Sequence, residues 1–352
     1  MVVQTVRTQT PKQKPNGELG FGQYFSDHLY MMEYREGQGW INECIRPYAS
    51  LMLDPATMVF HYCQALFEGM KAYRGADGAI RLFRPRDNLA RLNESADRMC
   101  MPAIDEERVL NGLIELLRVD SDWIPYADGT SLYIRPTMIA TDTALGVRAS
   151  KSYLFYIILS PVGSYYKNGL QPIKLAVEQK YTRASVGGTG YTKCGGNYGA
   201  SIKPAFEAHK SGVDQILWLD SVHRKYIEEV GSMNIFFVLN GEVVTPALNG
   251  TILSGVTRRS AITLLKDNGY KIHERRVSLD ELMKGAADGT LTEIFGTGTA
   301  AVVSPVGTLI TAEGETVIGG GQMGAVSKFL YDTLTGIQWG RLKDNYGWTM
   351  VI

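Results

Sequence analysis

The alternation of apolar and polar positions along the chain predicts a mixed succession of strands and helices. Period-2 alternation and short apolar runs predict strands at 79–83, 130–140, 153–159, 173–177, 215–219, 235–238, 242–244 and 270–276. Apolar positions at helical spacing predict helices at 60–70, 89–99, 106–118, 200–210, from about 256 to 266, and after 278. Helices and strands that follow one another throughout favour an α/β fold.

Local signals place the ends of several of these elements. Asp105 is a good N-cap for the helix 106–118, and Ser278-x-x-Glu281 is a capping box before another helix. The dipeptide Asn240-Gly241 predicts a tight hairpin turn between two strands. Pro204 suits the predicted helix 200–210 only if it lies in the first turn.

The predicted strand 130–140 carries a charge in an apolar setting. Tyr133 and Arg135 are two residues apart, so period-2 geometry places both side chains on one face of the strand. Arg135 lies among apolar neighbours, where an unpaired guanidinium is costly to bury. We therefore expect Arg135 to meet an anion.

Composition restricts the classes of function. The chain has 352 residues, 45% of them hydrophobic, which predicts roughly two domains. The turn-rich stretch near the midpoint predicts a first domain at 1–163, a linker at 164–173 and a second domain at 174–352. Because 36 basic and 36 acidic residues cancel, no global field favours nucleic acid, and the longest apolar run is too short to span a membrane. We expect small-molecule partners.

The cysteines and the N-terminus add two expectations. Four widely spaced cysteines form no C-x-x-C pair, which argues against a disulfide framework and a metal site, and favours a reducing, cytoplasmic compartment. The first seventeen residues contain Arg7, Lys12 and Lys14 but no acidic residue, and they lack the apolar core of a secretory signal. These residues are predicted to form a loose N-terminal arm.

The most unusual stretch is 187–199, where Lys193 lies among six glycines in thirteen residues. Such a cluster marks a backbone that takes positive φ or approaches a ligand closely. It lacks the Gly-Lys-Ser/Thr of a phosphate loop and does not fit a dinucleotide fingerprint. Lys193 could act as an amine nucleophile with Tyr198 nearby; a flexible surface loop is the alternative.

Three later segments offer further chemistry. Glu228 and Glu229 place two carboxylates in an apolar strand, and the helix beginning after Ser254-Gly255 presents free amides to an anion. The loop 296–300 also offers glycines, hydroxyls and amides. Together with Arg91 and Lys193, these are the parts that a protein needs to hold pyridoxal 5'-phosphate.

At this point the chain closely resembles the branched-chain amino acid aminotransferases, which are fold-type IV pyridoxal-phosphate enzymes, and most of all the subgroup that includes the animal enzymes. The resemblance extends from about residue 21 to the C-terminus. It rests on six motifs in order: Leu66-Phe67-Glu68-Gly69-Met70-Lys71-Ala72, Arg81-Leu82-Phe83-Arg84-Pro85, Gly129-Thr130-Ser131-Leu132-Tyr133-Ile134-Arg135-Pro136, Lys193-x-Gly195-Gly196-Asn197-Tyr198-Gly199, Glu229-Val230-Gly231 and Gly296-Thr297-Gly298-Thr299-Ala300.

The resemblance implies a role for each matching residue. Lys193 would be the catalytic lysine that forms a Schiff base with pyridoxal phosphate and moves the substrate proton. Glu229 would hold the pyridine nitrogen protonated, and Tyr198 would bind the ring oxygen. The phosphate would be bound by Arg91, the amides of Val256 and Thr257, and Thr299. The Thr299 and Ala300 amides would also bind the substrate carboxylate.

The resemblance also implies a substrate pocket with an aromatic wall. Its matching residues are Phe21, Tyr62, Phe67, Tyr133 and Tyr165, with Arg135 available for the side-chain carboxylate of glutamate. Ordinary core packing is the alternative for each aromatic residue. The C-x-x-C pair that senses redox state in the animal enzymes is replaced here by Ala301 and Ser304, so that regulation is not expected.

The resemblance therefore implies an α/β fold of the α+β type, with a smaller N-terminal α/β domain and a larger C-terminal domain with a β-barrel-like core. The implied reaction is ping-pong transfer of the amino group from L-leucine, L-isoleucine or L-valine to 2-oxoglutarate by a homodimer. A D-amino-acid aminotransferase or an aminodeoxychorismate lyase is the alternative within the fold. A non-catalytic nucleotide-binding protein is the alternative from another class.

Overall fold

The computed structural model describes residues 3–163 and 170–352, and the chain forms two compact units. Among the described residues, unit 1 comprises 3–163, 192–195 and 337–352, and unit 2 comprises 170–191 and 196–336. Residues 164–169 of the predicted linker lie outside the described residues. Two stretches of the predicted second domain, 192–195 and 337–352, belong to unit 1. Residues 192–195 include the lysine on which the proposed chemistry depends.

Unit 1 is built on a nine-stranded sheet. Eight of its strands are β1 (Gln4–Thr5), β2 (His28–Arg35), β3 (Gly39–Pro47), β4 (Ala65–Phe67), β5 (Met70–Arg74), β6 (Ile80–Phe83), β7 (Ser131–Ala140) and β8 (Ser152–Val162). The strand order is β1-β3-β2-β8-β7-β5-β6, followed by a C-terminal strand, and β4 pairs with β7. All of these pairings are antiparallel except that of β1 with β3.

Helices α1 (Met58–Tyr62), α2 (Pro85–Arg98) and α3 (Glu106–Val119) belong to the same unit. The predicted cap of α3 is confirmed, because the Asp105 side chain accepts a hydrogen bond from the Arg108 amide. Apolar residues of α2 and α3, among them Leu92, Ala96 and Leu113, are fully buried in one core with those of the central strands. That core fixes the strands β4 and β7 that carry several candidate residues.

The prediction of a helix at 60–70 is wrong. Helix α1 ends at Tyr62 because Cys63 takes a left-handed conformation (φ 51°), and strand β4 begins two residues later. The apolar residues of this segment do occur at helical spacing, but β4 and β5 pair with β7 instead. Tertiary pairing has overridden a local pattern.

The N-terminal arm is anchored, so the prediction of a loose arm is also wrong. Strand β1 pairs with β3, and the Thr8 amide donates to Nε2 of His28 at 2.9 Å. The Lys12 amide donates to Asp27 at 2.8 Å. The arm has no strong helix or strand pattern of its own, and long-range hydrogen bonds to unit 1 order it.

Unit 2 is built on a second nine-stranded sheet. Its strands are β9 (Ile173–Glu178), β10 (Gln215–Leu219), β11 (Ile227–Val230), β12 (Asn234–Leu239), β13 (Glu242–Thr245), β14 (Ile272–Glu274), β15 (Leu291–Gly298), β16 (Val302–Thr311) and β17 (Gly314–Val317). The strand order is β11-β10-β9-β16-β15-β12-β13-β14, with β17 on β16. A bridge between Val230 and Met233 joins the end of β11 to the residue before β12, so six strands curl into the predicted barrel-like core.

The helices of the second half are α4 (Gly195–Lys210), α5 (Val256–Asp267), α6 (Leu279–Asp288) and α7 (Ala325–Gln338), and the last strand is β18 (Thr349–Val351). The predicted capping box of α6 is confirmed, because the Ser278 hydroxyl accepts from the Glu281 amide. Helix α4 begins five residues earlier than predicted, so Pro204 lies inside it. Gly195 and Gly196 form the beginning of the helix, two residues after Lys193.

No helix in the part of the chain that the structure describes is both long and apolar enough to cross a membrane. Across residues 3–163 and 170–352, no group of three or more histidine, cysteine, aspartate or glutamate residues could hold a metal ion. All four cysteines are free.

Candidate active site

Lys193 is held in unit 1 by its backbone. Its carbonyl accepts from the Phe67 amide at 3.1 Å, and its own amide donates to the Ser95 hydroxyl at 3.1 Å. Cys194 forms a bridge with Leu66 of β4. The amine Nζ lies over the Phe67 ring, 5.0 Å from its centre. The backbone of Lys193 is therefore anchored to unit 1, although glycines surround it in the sequence.

A buried ion pair lies beside this lysine in the same unit. Arg91 of α2 donates from Nε and Nη2 to the two oxygens of Glu68 at 2.8 and 2.9 Å. The Arg91 side chain is 6% exposed and that of Glu68 is 0% exposed. Ser95, which binds the Lys193 amide, follows Arg91 by one helical turn. Sequence reasoning usually places an isolated helical arginine at the surface, and here it is buried.

Tyr133 and Arg135 share a face of β7, as predicted. Arg135 donates from Nη2 to the Tyr133 hydroxyl at 2.9 Å, and its guanidinium lies 4.6 Å from the centre of the Phe67 ring. Phe21 meets Tyr133 edge to face at 4.9 Å. A Cβ on Gly69 would lie 2.1 Å from the Tyr133 hydroxyl, so only glycine leaves room for the phenol there.

Arg135 retains unused binding capacity. Its Nε is buried and has no hydrogen-bond partner among the residues that the structure describes. A buried unpaired donor of this kind is costly, and an anionic ligand group would satisfy it. Nε is therefore the atom of Arg135 that we expect to bind an anion.

A second lysine, Lys71, is buried on β5 directly opposite Tyr133 in the strand register. It is 5% exposed, and burial lowers the pKa of Lys71 to about 8. Directly opposed residues of an antiparallel pair project from the same face of the sheet. Lys71 therefore adds a titratable amine to the face that carries Tyr133 and Arg135.

The buried amine predicts a pH effect on stability. The folded-state pKa is about 8 and the ordinary value is 10.5, so the unfolded chain binds a proton that the folded chain does not between these pH values. The free energy of unfolding should therefore rise with pH from about 8 to 10.5, by about 3 kcal/mol. We expect Lys71→Met to be more stable than the natural protein at pH 7 by that amount and to lose this rise.

Urea unfolding of both proteins at pH 7, 8, 9 and 10 measures this difference. Because all other groups are shared, only the difference between the two proteins is compared. A difference that stays constant over this pH range would contradict the burial of a neutral amine at Lys71.

In unit 2, Glu229 lies on β11 and is 2% exposed. Its Oε1 accepts from the Leu253 amide at 2.7 Å, and its Oε2 pairs with Nε of Arg183 at 3.1 Å. Arg183 also donates to the carbonyls of Gly190 and Thr251. The arginine therefore links the carboxylate to the segment that leads to the lysine.

The neighbouring carboxyl group has a different environment. Glu228 accepts from the Thr251 hydroxyl, and its other oxygen is buried with no hydrogen-bond partner in the described part of the chain. Burial raises the pKa of Glu228. Of the two carboxyl groups in this strand, Glu229 is the one with both an arginine partner and a backbone donor.

The helix α5 offers the predicted amides. Val256 and Thr257 begin the helix, and the cap residue Gly255 provides no side-chain hydrogen bond to them. A Cβ on Gly255 would lie 2.0 Å from Oδ1 of Asn234, so this position excludes any side chain. Leu253, which binds Glu229, lies three residues before Val256. The carboxylate and the open helix end are therefore joined by one short loop.

Asn234 relates this helix end to the turn that carries Thr299 and Ala300. Its side chain donates to the Leu253 carbonyl at 2.8 Å, and its backbone is paired with Thr297 of β15. Thr299 and Ala300 follow β15 in a turn before β16. The start of α5 and the turn after β15, which are the two predicted anion-binding segments of unit 2, are thus connected through Asn234.

Tyr198 lies in the first turn of α4. The preceding residue, Asn197, is buried and makes two hydrogen bonds to Thr189, both of 2.8 Å. These bonds join the beginning of the glycine-rich loop to the helix that follows it. Tyr198 is thereby placed on an ordered helix rather than on a flexible loop.

The candidate residues thus form two groups. Unit 1 brings together Lys193, Phe67, Tyr133, Arg135 and Phe21, and unit 2 holds Glu229 with the start of α5 and the turn after β15. Tyr62 also lies in unit 1, where its hydroxyl donates to the Leu145 carbonyl. Tyr165 lies outside the described residues.

Sequence reasoning missed several residues that support these groups: Glu68, Lys71, Ser95, Arg183 and Asn234. Glu68 and Lys71 occur within a quoted motif, but nothing in the motif showed that they are buried. Arg183 lies 46 residues before Glu229 in an ordinary polar segment. The available signal was indirect, because a buried carboxylate requires a cation or several donors.

A sequence model of the family described as amino-transferase class IV matches residues 65–309 of the chain. The chain is 54% identical over 354 residues to branched-chain-amino-acid aminotransferase 2 of Bacillus subtilis (strain 168). This alignment covers 99% of this chain and 97% of the relative. The chain is 46% identical to the branched-chain-amino-acid aminotransferase of Mycolicibacterium smegmatis, with 94% and 91% covered.

Solved structures give the same result. The branched-chain amino acid aminotransferase of Escherichia coli matches with a TM-score of 0.74 and 25% identity, covering 92% of this chain and 98% of that chain. The branched-chain amino acid aminotransferase of T.th., solved with pyridoxamine 5'-phosphate, matches with a TM-score of 0.75 and 25% identity, covering 92% and 97%.

Proposed function

The chain belongs to the class IV aminotransferases and, among them, to the branched-chain-amino-acid aminotransferases, and from this membership we propose that it transfers the amino group of L-leucine, L-isoleucine or L-valine to 2-oxoglutarate. The predicted family and its fold-type IV fold are confirmed by the same comparisons. The observation that supports the proposal most is the 54% identity over nearly the full length of both chains.

The chemistry of the candidate groups fits pyridoxal 5'-phosphate. A ring nitrogen that must stay protonated needs a buried carboxylate, and Glu229 is one. A phosphate needs amides without competing caps, and α5 begins with such amides behind a glycine that cannot carry a side chain. An aldehyde needs an anchored amine, and Lys193 provides it. When bound, the cofactor supplies an aldehyde for covalent attachment and a ring that accepts an electron pair.

Each candidate residue then has a defined task. The Lys193 amine would hold the cofactor through its aldehyde and would carry the proton to and from the Cα of the substrate. Glu229 stabilises the protonated ring nitrogen, with Arg183 and the Leu253 amide holding the carboxylate in position. Tyr198 hydrogen-bonds the ring oxygen. Val256, Thr257, Thr299 and Arg91 bind the phosphate, and the Thr299 and Ala300 amides hold the substrate carboxylate.

One pocket has to accept both a branched aliphatic side chain and that of glutamate. The rings of Phe21, Phe67 and Tyr133 offer an apolar wall for leucine, with Tyr62 and Tyr165 proposed for the same wall. Arg135 lies against this wall with its buried Nε available to a carboxylate. The same cluster thus offers apolar contact to one substrate and a charge to the other.

Replacing Arg135 with alanine should separate the two substrates. A hydrogen bond to a charged group contributes roughly 1.5–3 kcal/mol, so kcat/KM for glutamate should fall by about 10- to 150-fold. For leucine, which presents no side-chain carboxylate, we expect a loss of less than about threefold by the same reasoning. Steady-state assays with each donor measure the two ratios, with Arg148→Ala, a surface arginine of the same unit, as the control. Equal losses for both substrates would remove Arg135 from this role.

The proposed reaction is tested by half-reactions with single amino acids. Protein loaded with pyridoxal phosphate is mixed in turn with L-leucine, L-isoleucine, L-valine, D-alanine and aminodeoxychorismate, and the visible absorption of the cofactor is followed. We expect the three L-amino acids to change the spectrum and D-alanine to leave it unchanged. Turnover of D-alanine alone, or of aminodeoxychorismate alone, would show that one of the alternative activities of this fold is correct.

A homodimer and a cytoplasmic location complete the proposal. Unit 1 exposes large apolar residues in helix α1 and in its loops, including Met52, Phe60, Leu145 and Val147, and a second copy of the chain would cover them. The four free cysteines suit a reducing compartment. Light scattering on the purified protein should give twice the mass of the chain, and a monomer would contradict the dimer.

A further inference from the structure

The loop that carries Phe21 has little rigidity of its own. Gly17, Gly20 and Gly22 all have positive φ (108°, 61° and 69°), and none of the residues 17–25 belongs to a helix or strand. Glycines in such conformations leave the backbone with many accessible states. The Gly163 amide donates to the Gly20 carbonyl at 3.0 Å beside Phe21. Beyond this backbone bond, the contact of 4.9 Å between Phe21 and Tyr133 needs further support from the ends of the loop.

The exit of this loop is fixed by the sheet. The Ser26 amide donates to the Leu159 carbonyl of β8 at 2.9 Å, and the Tyr48 amide donates to the Asp27 carbonyl at 2.8 Å. Oδ2 of Asp27 accepts from Nε1 of Trp123 at 2.9 Å. Strand β2 begins at the next residue, His28. The end of the loop is thus a fixed point of unit 1.

Lys12 joins the entry of the loop to this fixed point. Its amide donates to Oδ1 of Asp27, and its Nζ donates to the Ser26 carbonyl at 2.6 Å and to the Phe25 carbonyl at 3.2 Å. The ammonium also lies 4.0 Å from the centre of the Tyr48 ring. Lys12 thus binds three consecutive residues, 25–27, at the far end of the loop. These bonds hold the two ends of the loop together, and we call this junction the neck of the loop.

We propose that Lys12 is a positioning residue of this enzyme: it closes the neck of the loop 13–25, holds Phe21 against Tyr133, and thereby sets the affinity for the branched aliphatic side chain. Among the described residues, the partners of Lys12 are Phe25, Ser26, Asp27 and Tyr48, and none of them is a candidate catalytic group. Lys12 acts on Phe21 through the loop, because a loop whose two ends are held together allows fewer conformations to the residues between them. The choice of leucine as the substrate rests on the proposed function, whereas the role of Lys12 in holding the loop does not.

Three substitutions test the proposal in the full-length protein loaded with pyridoxal phosphate. Lys12→Met keeps the stem and removes the charge, Lys12→Arg restores a cation, and Lys151→Met removes an exposed lysine that pairs with Glu36 elsewhere in unit 1. We expect Lys12→Met to raise KM for L-leucine by about tenfold with kcat within about twofold, because a misplaced contact residue weakens binding more than chemistry. Lys12→Arg should recover most of the affinity, and Lys151→Met should match the natural protein.

A second measurement does not depend on catalysis. Chymotrypsin cleaves after aromatic residues, and the loop contains Phe21, Tyr24 and Phe25. We expect cleavage in the loop to be several-fold faster in Lys12→Met than in the natural protein, in the absence of substrate, with an unchanged Tm. An unchanged cleavage rate would overturn the closure of the neck, and so would a lowered Tm with kcat and KM affected together.

A double substitution tests the link between Lys12 and Phe21. In a Phe21→Ala background, Lys12→Met should raise KM for L-leucine no further, since the residue that it positions has been removed. An undiminished tenfold effect would overturn the proposed route. If the natural protein does not transaminate leucine, the proposed function fails, while the cleavage rates still decide whether Lys12 closes the loop.

Discussion

Transamination of L-leucine by the Lys193→Ala variant is expected to fall by at least roughly 10⁴-fold, because the variant loses both the covalent attachment and the proton carrier. The fold should survive, since the backbone of Lys193, and not its amine, bonds to Phe67 and Ser95. Steady-state rates with leucine and 2-oxoglutarate, together with thermal unfolding, measure both effects.

Two further variants make this loss interpretable. Lys193→Arg keeps a positive charge but cannot deprotonate at neutral pH, so it should be as inactive as the alanine variant. Lys203→Ala removes an exposed lysine of α4 that pairs with Glu207, and it should retain full activity. An alanine variant that retains a tenth of the natural rate would show that another amine carries the reaction.

Replacing Glu68 with alanine is expected to lower the free energy of unfolding by about 3–5 kcal/mol, because it leaves the Arg91 guanidinium buried without its carboxylate. The two side chains are 0% and 6% exposed, so water cannot substitute for the lost partner. Urea unfolding of the cofactor-free protein measures the change.

The double variant Glu68→Ala with Arg91→Met gives the matched control. Removing both charges should cost clearly less than removing Glu68 alone, since no uncompensated charge remains. Addition of pyridoxal phosphate should recover part of the lost stability in Glu68→Ala but less in the double variant, because Arg91 is also proposed to bind the phosphate. Additive losses for the two substitutions would contradict the buried pair.

Periodicity predicted the elements whose local and tertiary preferences agree. Strand β7 is an example, because alternation placed Tyr133 and Arg135 on one face, and in the structure the two side chains are close enough to form a hydrogen bond. Helix α6 is another, because its capping box is local chemistry. The segment 60–70 shows the opposite case, where pairing with a distant strand replaced a locally plausible helix.

The candidate site was predictable from motifs but not from spacing alone. Lys193 stood out in its glycine cluster and Glu229 in its apolar strand, and the resemblance implied their roles, whereas the partners that hold them are far away in sequence. Arg183 and Glu68 bind Glu229 and Arg91 across 46 and 23 residues, and no local pattern reports such pairs. The same reason explains why the sequence predicts a loose arm, since the order of the arm comes from His28 and Asp27.

The central claim is that Lys193 carries the cofactor. Protein loaded with pyridoxal phosphate is reduced with borohydride, digested, and mapped by mass spectrometry. The account predicts one modified residue, Lys193, and loss of visible absorption. A label on the buried Lys71 instead, or a colourless protein that takes up no cofactor and binds a nucleotide, would contradict it.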